Sequence, residues 1–193
     1  MTKQQRTIRA FLRETFGPDR GSVIFDRQQR ELSELLTPWK NASRHQKKAL
    51  AGTILPPIAL YKTMLAENCP DAYGCLRTYM QEKVSRKQHG SMVRMEKVPG
   101  FFDLYSFFFR KVMAASDLWD STQRAGRDFF DVTISRCLWH WACVENGCGE
   151  LCRLFCEADN GTYDGLRKIG FTRTGTLGCG GECCDFHFFR KNK

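Results

Sequence analysis

The chain has no uninterrupted apolar run approaching the roughly 18 residues that a membrane span requires. Its opening segment, MTKQQRTIRAFLRETF, is charged where a secretory signal needs an apolar centre. The first absence predicts no membrane partner, and the second makes the cytoplasm the expected compartment. No CxxC pair occurs, and neither zinc-finger spacing nor an RNA-recognition aromatic motif is present. Those gaps remove the commonest sequence signatures of metal modules and RNA binders.

Ten cysteines are present in 193 residues. In a reducing compartment they read as thiols, metal ligands or a catalytic group rather than a disulfide framework. The hydrophobic content, 42%, is enough for one sizeable core in a single domain covering residues 1–193. Thirty Lys and Arg against 21 Asp and Glu give a formal charge of +9, which favours the approach of anions. The bases are dispersed, so nucleic acid is not the expected partner; whether the chain forms a homo-oligomer stays open.

The expected fold class is α+β, with a helical N-terminal half packed with a small antiparallel sheet and helices in the C-terminal half. Across residues 1–95 apolar residues recur at helical spacing, beginning with Ile8, Phe11, Leu12 and Phe16 before Gly17-Pro18 stops the helix. Pro56 and Pro57 should kink or divide a later helix around Ile54–Leu65. The aromatic run Phe101 to Phe109 fits a core helix or a strand. Beyond Arg127, FFDVTISRC alternates as a strand, with Phe130, Val132, Ile134 and Arg136 on one face and Cys137 on the other. A helix over Glu150–Ala158 follows. Gly170–Leu177 and Cys183–Arg190 then read as two strands joined through GCGGE.

Two constellations in this third can carry chemistry. Cys148, Cys152 and Cys156 are spaced four apart, with Asp159 three beyond, so on one helix they make an oblique stripe. Cys183, Asp185 and His187 share one strand face, a row able to ligate a metal or to supply nucleophile, acid and base. Buried small hydrophobes and a polar strand face are the plain alternatives for both groups. A carboxylate raises a neighbouring thiol's pKa, so a nucleophilic Cys156 needs a cation or base such as Arg136, His140, Arg173 or His187.

Three segments, DVTISRC at 131–137, LFCEAD at 154–159 and FTRTGTLGCGGECCDFHF at 171–188, resemble the L-2-amino-thiazoline-4-carboxylic acid hydrolase family. The likeness covers residues 100–190 well, and the helical half only in general character. It implies hydrolysis of a carbon–nitrogen or carbon–sulfur bond in a small cyclic isothiourea that bears a carboxylate. Cys137, Cys156, Asp159, Cys184 and Asp185 occupy the family's motif positions. In the mechanism this implies, Cys156 (or, next in order, Cys184) or an activated water attacks the amidine-like carbon. Asp159 or Asp185 holds the protonated nitrogens, and Arg136 or Arg173, with His140 nearby, clamps the substrate carboxylate. The competing account is a binding module without hydrolytic activity, with a metal such as zinc held by Cys148, Cys152, Cys179 and Cys183. If the shared-site account holds, Cys137, Cys156 and Cys184 converge on one cavity.

Overall fold

The computed structural model describes residues 1–191. Its front half is helical: α1 (Lys3–Phe16), α2 (Pro18–Leu36), α3 (Arg44–Ala49), α4 (Leu55–Ala66), α5 (Ala72–Tyr79), α6 (Arg86–Met95) and α7 (Phe101–Ala115). The back half interleaves strands β1 (Trp119–Ala125), β2 (Phe129–Cys137), β3 (Ile169–Thr172) and β4 (Cys184–Arg190) with helices α8 (Leu138–Glu145) and α9 (Cys152–Tyr163). The class is α+β, as the pattern required.

Local chemistry explains the first turns. Thr2 and Gln5 form a reciprocal cap on α1, whose buried stripe is Ile8, Phe11 and Leu12. Gly17 ends that helix at φ +83° and Pro18 opens the next. A Cβ at Gly21 would sit 2.5 Å from the Leu12 carbonyl oxygen, so glycine sets the close approach of α1 to α2.

The tandem prolines open α4 rather than interrupt it, because the preceding turn, Leu50–Ile54, is π-wound. The buried Gln28 side chain donates to the Pro56 carbonyl at 3.1 Å. The continuous helical stretch Arg44–Ala66 is long and apolar enough to cross a membrane by length and composition, which counting uninterrupted runs had missed. Yet 61% of its most apolar window is buried inside the fold, and α4 is covered on nearly every side. A second π turn, Met80–Ser85, joins α5 to α6.

The sheet has the order β1-β2-β4-β3, antiparallel throughout. Phe130, Val132, Ile134, Cys184 and Phe188 face inward against α7 and α9 and form one core with Phe101, Phe102 and Met113. Phe101–Phe109 is therefore helical, and α7 covers the inner face of the sheet. A second core lies among α1, α2, α4, α5, α8 and α9.

Three expectations need correction here. β1 was not foreseen. The strand expected over Gly170–Leu177 stops at Thr172, and a short 3-10 turn occupies Leu177–Cys179. Most consequential, β2 carries a bulge: Asp120 pairs with Arg136 but Ser121 pairs with Ile134, which leaves Ser135 as an extra residue. The alternation therefore shifts by one. Arg136 turns outward to an ion pair with Asp120 at 2.8 Å, and Cys137 comes to the inner face opposite Trp119.

Candidate active site

A cavity of about 220 Å3 opens where the two cores meet. That is small beside the roughly 300–1,000 Å3 of pockets for drug-sized ligands, and suits a compact one. Each wall comes from a different element. α9 supplies Cys152, Cys156 and Asp159 at helical spacing, so all three face the same way. The end of β2 supplies Cys137, β4 supplies Cys184 and Phe186, and the start of α8 supplies Trp139 and His140. Thr53 and Met80, from the two π turns, close the helical side. Gly178 completes the wall: a Cβ there would meet the Cys152 sulfur at 2.7 Å, so glycine lets the Leu177–Cys179 turn press onto α9.

The thiols are held in their protonated form. The adjacent Cys152 thiol, with burial behind it, pushes the Cys156 pKa far up; only the nearby Thr176 side chain favours the thiolate. The neighbouring Cys143 thiol is in turn the leading cause of the upward shift of Cys152. Burial raises Cys137 to about 12 although the Trp139 and His140 backbone N–H groups favour its thiolate, and it raises Cys184 to about 11.

Asp159 differs from the thiols around it. Its side chain is 42% exposed, but that exposure is to the walled cavity, and desolvation there pushes its carboxyl up to about 6. Arg173 opposes the shift from 3.4 Å. The Arg173 side chain, 10% exposed, also donates to the Cys156 carbonyl at 2.6 Å and lies over the Phe171 and Phe186 rings. It engages Asp159 Oδ2, while Oδ1 has no hydrogen-bond partner among the described residues. The indoles of Trp119 and Trp139 stack at 5.2 Å and 5° along the wall.

The structure thus brings Cys137, Cys156, Cys184, Asp159 and His140 around one space, with Arg173 behind Asp159. It leaves others outside. Asp185 and His187 stand on the outer face of the sheet, because strand parity sends Cys184 and Phe186 inward. Asp185 accepts hydrogen bonds from the Thr174 and Gly175 backbone and folds the turn after β3, and His187 pairs with Asp131 at 2.6 Å. Arg136 points to solvent for the reason given above.

The zinc reading finds no support in the geometry. Among the described residues no three His, Cys, Asp or Glu side chains gather to hold a metal. Cys148 and Cys152 are buried, Cys179 is exposed and Cys183 is half-buried. Sequence reasoning missed Trp119, Trp139 and Thr176. Trp139 had a signal, since it stands two residues beyond DVTISRC, and Thr176 lies inside the quoted 171–188 segment; Trp119 had none, because it reaches Cys137 only through the pairing of β1 with β2.

Residues 46–188 match the family model described as L-2-amino-thiazoline-4-carboxylic acid hydrolase. The chain belongs to this hydrolase family. The match reaches back through α3 and α4, well into the helical half that sequence likeness alone had linked only loosely, and it contains every cavity residue named above from Thr53 onward. No curated protein matches the chain. Among solved structures, the Fe(II) unliganded H-NOX protein from K. algicida aligns at 10% identity over 98% of this chain and 95% of that one, with a TM-score of 0.35. A single-substitution mutant of it aligns at 10% identity over 97% and 95%, with a TM-score of 0.34. Likeness at that level bears on neither the fold nor the chemistry of the hydrolase-family chain.

Proposed function

We propose that the cavity hydrolyses a small cyclic isothiourea or amidine, the class to which 2-amino-thiazoline-4-carboxylate belongs, with water as nucleophile and Asp159 as general base. The observation that carries this reading is the contrast between a carboxyl tuned to about 6 and thiols all pushed upward in the same space. A base works best when its pKa lies near the operating pH. A buried thiol whose pKa is raised is a poor nucleophile at neutral pH.

In this scheme Asp159 takes a proton as water adds to the carbon between sulfur and nitrogen. The tetrahedral adduct collapses with cleavage of the carbon–sulfur bond, and the proton returns to the departing sulfur. For the carboxylated thiazoline the product is an N-carbamoyl cysteine, and water is the sole co-reactant. Arg173 keeps Asp159 aimed, and the stacked indoles present a flat face to the planar amidine.

The test is turnover of 2-amino-thiazoline-4-carboxylate and of carboxylate-free 2-aminothiazoline, followed by product thiol release. Cys156→Ser should retain turnover within about tenfold, since the group removed is not the nucleophile; loss by the 10²- to 10⁴-fold typical of a missing catalytic group assigns the attack to sulfur instead. Failure to hydrolyse either compound ends the reading.

The pH profile gives an independent check. The base must be ionised, so kcat/KM should rise with pH up to about 6 and level off above it, falling tenfold per unit on the acid side. An acid limb centred near the ordinary carboxylate value, roughly 4, excludes the shifted Asp159 as base.

A further inference from the structure

The family's named substrate carries a carboxylate, and sequence reasoning offered Arg136 and Arg173 to clamp it. Neither is free to do so. Arg136 is on the outer face of the sheet, paired with Asp120. Arg173 is committed to Asp159 and the Cys156 carbonyl and is packed against Phe171 and Phe186. Among the described residues that line the cavity there is no arginine or lysine, and the one acidic side chain is Asp159. Burial pushes the Cys137 and Cys184 thiols upward, and apart from the thiols His140 and the Tyr163 phenol are the other ionisable side chains on the wall.

A ligand carboxylate placed in this space would lose its water and meet a carboxylate instead of a cation. A planar cation meets Asp159, whose Oδ1 has no hydrogen-bond partner among the described residues, beside the indole pair of Trp119 and Trp139 on the wall. We infer that this chain selects a cyclic isothiourea or amidine that is positively charged and lacks the carboxylate of the compound in the family's name. The inference rests on the hydrolase reading above and specifies the charge of its substrate.

Titration calorimetry of the full chain with 2-aminothiazoline, a cation at neutral pH, and with its 4-carboxylate separates the cases. The carboxylate-free compound should bind roughly tenfold or more tightly, in line with the penalty for like charges brought together. Asp159→Asn, checked for folding by thermal melting, should erase that difference. Equal or tighter binding of the carboxylated compound overturns the inference, and if that compound is also hydrolysed the hydrolase reading survives without it. If neither compound is bound or turned over, both fall together.

Discussion

Asp159→Asn is expected to lower kcat by about 10²- to 10⁴-fold, the contribution of a positioned general base. The substitution keeps the shape of the side chain and one oxygen for Arg173, which retains its bond to the Cys156 carbonyl. Folding should therefore survive, and melting curves recorded beside the kinetics verify it. The variant cannot accept a proton, so the loss should appear in kcat and at least as strongly in kcat/KM, with the acid limb near 6 abolished in whatever activity remains. A variant within tenfold of the parent removes Asp159 from the chemistry. Set beside Cys156→Ser, the result also identifies the attacking atom, because covalent sulfur catalysis predicts the reverse order of severity.

Phe188→Ala should cost about 3–5 kcal/mol of stability, read from the denaturant midpoint at unchanged slope. Phe188 is fully buried at the centre of the sheet core. Its ring stacks on Phe130 at 4.6 Å and meets Phe171 at 4.9 Å, Tyr163 at 5.1 Å and Phe109 at 5.2 Å. Truncation strands four aromatic neighbours from α7, α9, β2 and β3 around one void, and rigid rings collapse poorly into it. Phe107→Ala is the control: that ring is 58% exposed on the far side of α7, and its loss should stay within about 0.5 kcal/mol. A Phe188→Ala cost below about 1 kcal/mol means that the sheet core repacks far more freely than its ring geometry implies.

The parts of the site read correctly from sequence were those governed by one period within one element. Cys152, Cys156 and Asp159 share a face because α9 is regular, and Cys184 and Phe186 part from Asp185 and His187 because β4 is regular. Misreadings arose where a neighbour decided the outcome. β1 is a polar edge strand, WDSTQRA, whose pairing with β2 rather than its composition makes it a strand. Phe101–Phe109 could not be typed by pattern because helix and strand both bury such a run; the open inner face of the sheet settles it. Arg173 was named as a substrate clamp because sequence cannot reveal that Asp159 already occupies it.

Arg136 and Cys137 are adjacent, and only the extra residue at Ser135 decides which of them enters the cavity. That makes the arginine a guard over strand alignment during folding. In the unbulged alternative, its guanidinium would be driven into a space walled by thiols and indoles with its ion pair to Asp120 broken, a desolvation cost far above that of one irregular turn of ladder. A misaligned β2 is thus rejected by the charge it would bury, and the residue that seemed suited to grip a substrate serves to keep the strand honest.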